Sequence, residues 1–297
     1  MPRPSALACP DSLKAVLPAR EAAAALAEGF AAVGVDCEEL PLADGGEGTA
    51  DVLAGRLPAG HVIVEAASVI PFDPAARDVA LASSRAVGEL LASVEAERLY
   101  IALGGTANMD GGAGLLDVLD ALPAPTTVLC DVRTTLYDAP RLYGPQKGAT
   151  PEQVVELEAR FRADRRLEPY ASLPGSGAAG GLGAALASLG ADLVPGAAAV
   201  LDLVGFDPSR HGLVVTGEGR VDATTGEGKV AAEVAQRCAD ARTPCVVFGG
   251  VVEAALPALA ETVALSGDPA QAREDLVALG RRLGLRLLGP RLFNPAG

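Results

Sequence analysis

The chain has 297 residues, of which 49 % are hydrophobic and 21 % are charged, a balance that supports a packed core and argues against wholesale disorder. Its net charge of −14 disfavours a non-specific nucleic-acid binder, because such a protein needs a basic surface facing the phosphates. The sequence contains no uninterrupted run of about 18 apolar residues, so we expect no membrane-spanning segment. The length is sufficient for two domains.

Short β-rich runs alternate with alanine-rich amphipathic segments, which is typical of an α/β protein. In chain order, the predicted strands are 5–9, 61–66, 99–103, 127–130, 213–216, 245–248 and 262–265. The predicted helices are 18–32, 48–57, 85–94, 112–119, 151–163, 177–189, 229–239 and 269–283. Thr150 and Pro151 are the residue types expected at the N-cap and first position of the helix that follows them.

The cysteine pattern indicates a reduced, cytoplasmic protein. The cysteines are scattered, odd in number and without a CxxC pair, so we expect free thiols that are mostly small core residues. They are Cys9, Cys37, Cys130, Cys238 and Cys245. Histidine occurs only at His61 and His211, which leaves little for a multi-histidine metal site or a histidine-dependent triad.

Lysine is rare in this chain. It occurs only at Lys14, Lys147 and Lys229, each in a stretch rich in glycine, aspartate, serine or threonine, and every other basic residue is arginine. Chance and a biased composition are one explanation. We favour the other, in which compact ammonium groups are kept where an anion binds.

Several predicted strands end in polar glycine-rich loops, at 10–14, 41–49, 104–112, 130–132 and 216–222. In open α/β sheets, ligands bind beyond the carboxyl ends of the strands. Glycines let backbone N–H groups approach an anion, carboxylates hold Mg²⁺ together with phosphate oxygens, and basic side chains neutralise a transferring phosphate. The combination favours phosphoryl transfer from a magnesium nucleotide.

Each of these polar residues also has a purely structural interpretation. Asp44 and Asp110 could cap the helices that follow them, and Asp131 could be a turn residue. Arg220 and Asp222 could form a surface ion pair that contributes little to stability.

Two nucleotide-binding motifs are incomplete. The segment GSGAAG at 175–180 fits GxGxxG, but Leu173 and Pro174 before it do not resemble a strand, so we reject a dinucleotide site. Gly228 and Lys229 lack the upstream glycine of a P-loop, and Val230 replaces its serine or threonine. A kinase of this sequence therefore needs another architecture.

Taken together, the loops resemble the type I glycerate kinase family. The matching blocks are PDSLK at 10–14, PLADGGEGT at 41–49, the glycine loop at 104–112, CDV at 130–132, YGPQKGA at 143–149, PGSGAAGGLGAAL at 174–186, and TGEGRVD at 216–222 with Thr225, Gly228 and Lys229. They occur in the family's order and extend over most of the chain.

The resemblance implies ATP- and Mg²⁺-dependent phosphorylation of D-glycerate at the 2-hydroxyl, giving 2-phosphoglycerate. It also implies two α/β domains, one discontinuous and one inserted, with the active site in the cleft between them. Their approximate bounds are 1–60 with 200–297, and 61–199. We expect small-molecule partners only, without nucleic acid or membrane, and leave a homodimer open.

On this basis we assign roles to the polar residues. Catalysis is expected from Lys14 and Lys229 on phosphates or the glycerate carboxylate, from Arg220 clamping the carboxylate, and from Asp222 accepting or orienting the hydroxyl proton. Asp44, Glu47 and Asp131 are expected to hold Mg²⁺. The expected substrate- or nucleotide-binding residues are Asp11, Ser12, Gly45, Gly46, Gly104, Gly105, Asn108, Asp110, Lys147, Gly217, Glu218, Gly219 and Thr225.

The sequence departs from the family pattern in several places, including two missing regions and one altered loop. A region after 61–66 and a stretch between Gly114 and Thr127 are missing, and GGTANMDGG has Asn108 and Met109 where Thr and Asn are expected. Two alternatives therefore stay open. One is a kinase for another small hydroxy acid, such as a tartronate- or tetronate-like compound, and the other is a catalytically silent homologue that binds glycerate or nucleotide.

Overall fold

A computed structural model describes residues 5–79, 81–222, 229–254 and 260–289, in which helices alternate with parallel strands. In chain order the elements are β1 (Ser5–Ala8), α1 (Ala19–Ala31), β2 (Asp36–Glu39), α2 (Thr49–Leu53), β3 (His61–Glu65), α3 (Arg85–Ala92), β4 (Arg98–Ala102), α4 (Ala113–Leu116), β5 (Thr126–Cys130), α5 (Ala139–Tyr143), α6 (Pro151–Ala163), α7 (Ala178–Ser188), β6 (Asp192–Pro195), α8 (Gly196–Leu203), β7 (Leu213–Val221), α9 (Val230–Asp240), β8 (Cys245–Val252), β9 (Glu261–Ala264) and α10 (Ala272–Leu288). The predicted α/β class is confirmed.

The chain divides into two compact units, which we call the terminal unit (Met1–Ala43 with Val204–Gly297) and the central unit (Asp44–Leu203). This division places residues 44–60 in the central unit, whereas the sequence-based bounds place them with the terminal segments. That each unit is an independently folding domain stays a prediction.

The terminal unit contains a parallel sheet in the order β2-β1-β7-β8-β9. Its core side chains include Leu26 and Phe30 of α1 and Leu276, Leu279 and Leu283 of α10, all almost fully buried. The apolar positions of α10 recur at helical spacing, which places them on one face of the helix.

The central unit contains a second parallel sheet, in the order β3-β4-β5-β6. Leu99 and Ile101 of β4 and Val128 of β5 are buried against Leu182 of α7 and Phe161 of α6. Apart from Arg98, Thr126 and Thr127 at their starts, both middle strands are apolar, as expected for strands covered on both faces. Their carboxyl ends lead directly into the candidate site.

Local sequence signals place several helix boundaries correctly. Helix α6 begins at Pro151, as predicted, with Thr150 as its N-cap. Gln153 N donates to Thr150 Oγ1 at 3.2 Å and Thr150 N donates to Gln153 Oε1 at 2.8 Å. This reciprocal capping box satisfies two N–H groups that the helix itself cannot satisfy.

The predicted loop at 216–222 is wrong for most of its length. Strand β7 continues to Val221 and β8 to Val252, and the two pair through Gly217 with Phe248 and Glu218 with Gly249. A Cβ on Gly217 would lie 2.3 Å from Phe248 O, so the glycines here permit close strand pairing rather than a turn. No helix in the described ranges has the length and hydropathy needed to cross a bilayer.

Candidate active site

Two glycine-rich loops meet in the central unit, beyond the carboxyl ends of β4 and β5. A Cβ on Gly104 would lie 2.6 Å from Gly46 Cα and 2.8 Å from Asp131 Oδ2. A Cβ on Gly46 would lie 2.9 Å from Asp44 Oδ1. Only residues without side chains can approach this closely, and the carboxylates of Asp44 and Asp131 border the space that the side chains would fill.

Asp44 organises its own loop. Its Oδ1 accepts a hydrogen bond of 3.0 Å from Gly46 N. The N-cap of α2 is Gly48, and no side chain caps this helix. The alternative that Asp44 caps α2 is therefore wrong, and one carboxylate oxygen is engaged in a turn at the glycine contact instead.

Glu47 lies close to the same loops. A Cβ on Gly105, whose φ is +78°, would lie 3.6 Å from Glu47 Cβ and 3.9 Å from its Oε2. Within the described residues, no group of three acidic, cysteine or histidine side chains forms a ready metal cluster. Mg²⁺ needs fewer protein ligands, because it is commonly bound by one or two carboxylates together with substrate phosphates. Asp44 and Asp131, at the edge of the glycine contact, fit that requirement.

A cavity of 210 Å³ lies beside this contact, entirely within the central unit. Gly104, Gly105, Asp131 and Lys147 line it, so it collects four of the residues expected from the sequence. The Lys147 side chain is buried, with 8 % of the residue exposed, and its Nζ donates to Asn108 O at 2.9 Å. Burial lowers the pKa of Lys147 to about 8, although the charges of Asp131 and Asp110 act in the opposite direction.

The Asp110 carboxylate accepts several hydrogen bonds from within the protein. It accepts hydrogen bonds from Ser84 N at 2.7 Å, from Ser84 Oγ at 2.8 Å and from Gly112 N at 3.1 Å. Burial raises the pKa of Asp110, but the bonds from Ser84, Asn108 and Gly112 outweigh it and hold the pKa below its usual value. These bonds fix the starts of α3 and α4. A ligand-binding role for Asp110 stays a prediction.

Asn108 connects Lys147 to a strained stretch of α7. Ala179, Gly180 and Gly181 all have positive φ, and Asn108 Nδ2 donates to Ala179 O at 2.9 Å. A Cβ on Gly180 would lie 2.1 Å from Asn108 O, the oxygen that accepts from Lys147. Left-handed backbone is unfavourable for alanine, so the surrounding packing must hold it in place. The glycine-rich start of α7 thus positions the Asn108 carbonyl that accepts the hydrogen bond from Lys147.

The terminal unit gathers a second set of expected residues. Asp11 N donates to Gly217 O at 2.9 Å, and Ser12 N donates to Asp11 Oδ1 at 2.6 Å. A Cβ on Gly219 would lie 3.4 Å from Lys14 N, so the loop after β1 runs along the end of β7. The structure therefore places Asp11, Ser12 and Lys14 beside the glycines of β7.

Lys229 and Arg220 are both in ion pairs. Lys229 Nζ lies 3.5 Å from Glu218 Oε2, which brings Lys229 to the same end of β7. Arg220, with 58 % of its side chain exposed, donates to Glu253 Oε1. Asp222 follows β7 and is half-buried, and Thr225 lies outside the described residues. The expected site residues thus form two sets, one within each unit.

Thr106 and Phe72 are among the cavity residues that the sequence analysis did not name as site residues. Thr106 is 4 % exposed and lines the cavity, and Phe72 lines it from a segment without any motif. Thr106 directly follows Gly105 in the predicted glycine loop, so its position was a usable signal. Phe72 reaches the loop through Phe72 N, which donates to Gly105 O at 2.8 Å, and no local pattern predicts that contact.

Similarity to known proteins extends over nearly the whole chain. The Glycerate kinase family matches residues 6–70, 58–126 and 123–267. Glycerate 2-kinase of Escherichia coli K12 is 32 % identical over 81 % of this chain and 84 % of its own length. Glycerate kinase of Bacillus subtilis 168 is 31 % identical over 82 % of this chain and 84 % of its own length.

A solved structure agrees with the fold. The crystal structure of "putative glycerate kinase 2" from Salmonella typhimurium LT2 superposes with a TM-score of 0.77 at 28 % identity, covering 96 % of this chain and 98 % of that one. The family matches and the shared fold extend over both units. The chain is an enzyme of the glycerate kinase family.

Proposed function

We propose that this enzyme transfers the γ-phosphoryl group of ATP to the 2-hydroxyl of D-glycerate, giving 2-phosphoglycerate and ADP. The observation that carries the proposal is the glycine contact between Gly46 and Gly104, bordered by Asp44 and Asp131 and adjoined by the buried Lys147. Glycines, carboxylates and a buried cation are the components that phosphoryl transfer requires. Membership of the glycerate kinase family supports the choice of acceptor.

In this reaction the substrate hydroxyl oxygen forms a bond to the γ-phosphorus while the bond from phosphorus to the ADP oxygen breaks. The hydroxyl proton must pass to a base, and Asp222 is the proposed acceptor or orienting group. Lys14 and Lys229 are proposed to neutralise phosphate oxygens. Lys229 already lies next to Glu218, so it must exchange or share that partner when a phosphate binds.

Asp44 and Glu47, with Asp131, are the proposed Mg²⁺ ligands. The ion would supply charge neutralisation at the transferring phosphate. The glycines around these carboxylates leave room for phosphate oxygens to complete the coordination.

ADP release tests the proposal. The purified enzyme with Mg²⁺ and ATP should release ADP at a rate that depends on D-glycerate, and more efficiently than with L-glycerate, tartronate or tetronate compounds. Lys229→Met should reduce turnover severely without changing the circular dichroism spectrum. A preference for tartronate or a tetronate would establish the other hydroxy-acid kinase, and ATP binding without ADP release from any acid would establish a silent homologue.

A further inference from the structure

The cavity of the central unit contains a polar atom with no assigned use. Thr106 lines the cavity and is 4 % exposed, and within the described part of the chain its Oγ1 has no hydrogen-bond partner. A buried hydroxyl without a partner costs free energy, so it marks a place where a ligand oxygen or nitrogen is expected. Lys147 lines the same cavity and also contributes a buried cation.

The size of the cavity limits what can bind there. Its volume of 210 Å³ lies below the roughly 300–1,000 Å³ of pockets that hold drug-sized ligands and cofactors. This volume matches an acid of about three carbons better than a whole nucleotide. Phe72, Val132 and Tyr143 provide apolar wall for a short carbon chain.

The charges of the cavity also favour a small acid. Among the described residues, Lys147 is the cation that lines it and Asp131 is the carboxylate that lines it. One ammonium group matches the charge of a single carboxylate, whereas a triphosphate needs several cations. Lys147 Nζ has donors beyond the one directed at Asn108 O, because an ammonium group carries three.

We propose that this cavity is the hydroxy-acid subsite, in which Lys147 binds the substrate carboxylate and Thr106 hydrogen-bonds a substrate oxygen and thereby determines specificity. The proposal rests on the proposed function, and it deepens that function by assigning the acid to the central unit. The carboxylate contact then belongs to Lys147 instead of Arg220, whose guanidinium pairs with Glu253. Thr106 becomes a residue that touches substrate.

The test is the affinity of full-length enzyme for D-glycerate, measured by isothermal titration calorimetry with Mg²⁺ and a non-hydrolysable ATP analogue present. Thr106→Val keeps the shape and removes the hydroxyl, so we expect the dissociation constant for D-glycerate to rise about fivefold to tenfold. Lys147→Met should raise it at least about tenfold. The affinity for the ATP analogue should change less than twofold in both variants.

Matched variants separate substrate contact from structural damage. Thr126→Val removes another buried threonine hydroxyl, which bonds Ala124 O away from the cavity, and should leave D-glycerate affinity unchanged. Thr106→Ser restores a hydroxyl and should recover most of the affinity that Thr106→Val loses. If Thr106→Val does not fold, Thr106→Ala replaces it in the comparison with Thr106→Ser.

The outcomes distinguish the subsite from the proposed function. Wild-type enzyme that phosphorylates D-glycerate while Thr106→Val and Lys147→Met retain D-glycerate affinity would overturn the subsite and leave the function intact. Weakened binding of the ATP analogue alone would assign the cavity to the nucleotide and also overturn it. Thr106-dependent binding of D-glycerate without any phosphorylated product would support the subsite and contradict the proposed function.

Discussion

Lys147 is a charged group placed where its charge is disfavoured. Burial lowers its pKa to about 8, and its ammonium is held by a backbone carbonyl and by the nearby charges of Asp131 and Asp110. Lysine is rarely buried in proteins unless its charge is paired. Groups in cavities whose pKa values are shifted are frequent at functional sites. The rarity of lysine drew attention to this residue in the sequence, but the burial itself was visible only in the structure.

This burial predicts a pH dependence of stability. The pKa of an unfolded lysine is about 10.4, so between about pH 8 and 10.4 the unfolded state binds more protons than the folded one. The free energy of unfolding of wild type should therefore rise through this window relative to that of Lys147→Met. Below about pH 8 the difference between the two proteins should be constant.

Denaturant unfolding of both proteins from pH 7 to 10.5 measures this difference. Arg141→Met is the control, because Arg141 is 78 % exposed and an arginine stays protonated throughout the range. A difference between wild type and Lys147→Met that stays flat with pH would show that Lys147 is not held in a charge-disfavouring site.

The position of Thr106 could be predicted from the sequence, but the hydrogen bonding of its hydroxyl could not. The sequence places it in a glycine loop after a strand, which is enough to predict proximity to a ligand. Whether its hydroxyl finds a hydrogen-bond partner within the protein depends on residues that are distant in sequence, such as Phe72 and Ala179, which line the same cavity. No local pattern predicts that arrangement.

At the scale of elements, α1 and α10 of the terminal unit pack closely against each other. A Cβ on Gly29 would lie 2.1 Å from Val277 O, and one on Gly280 would lie 2.3 Å from Leu26 O. The two helices approach so closely because each presents a glycine to the other's backbone. Gly289, at the end of α10, has no such neighbour, since a Cβ there would be 3.6 Å from the nearest atom.

Gly29→Ala should therefore lower the free energy of unfolding by about 1–3 kcal/mol, because the helices must move apart to accommodate the methyl group. Gly289→Ala should change it by less than about 0.5 kcal/mol. Urea denaturation of the two variants measures the contrast. Equal stabilities would mean that the helix contact is looser than the structure describes.

The elements that the sequence predicts best are those with a strong local pattern. Helix α6 has its capping box, and β4 and β5 each end in an apolar run. Strand β2 was missed because its sequence, Asp-Cys-Glu-Glu, is polar and lies at a sheet edge. Helix α7 was predicted as regular, but three residues with positive φ interrupt it where it packs against the Asn108 loop.

At the scale of the whole molecule, sequence periodicity cannot predict which strands that are distant in sequence pair with each other. Strand β1 pairs with β7 through Ala6 and Leu213, residues separated by most of the chain. Only the family resemblance indicated that the two chain ends form one domain around an inserted one. Lys14, Lys147 and Lys229 all fall among the expected site residues, and their roles there stay predictions.

The central unit should fold without the terminal segments. It is continuous in sequence, has its own sheet and core, and is long enough to bury a stable core. All the tyrosines of the chain, which has no tryptophan, lie in this unit at Tyr100, Tyr137, Tyr143 and Tyr170. Near-ultraviolet circular dichroism therefore reports tyrosine packing in the central unit alone.

A fragment of residues 44–203 should reproduce the tyrosine signal of the full chain and unfold cooperatively in urea. The full-length chain serves as the reference for both measurements. A fragment with no tyrosine signal or no cooperative transition would contradict the proposal that the central unit is an independent domain.

The central claim is that this enzyme phosphorylates glycerate at its 2-hydroxyl, and proton-coupled phosphorus NMR tests it most directly. After incubation with D-glycerate, Mg²⁺ and ATP, we expect signals of ADP and one new phosphomonoester split into a doublet by the single proton on carbon 2. A triplet from two protons on carbon 3 would contradict the assigned hydroxyl. The absence of any new phosphomonoester would contradict the proposed activity itself.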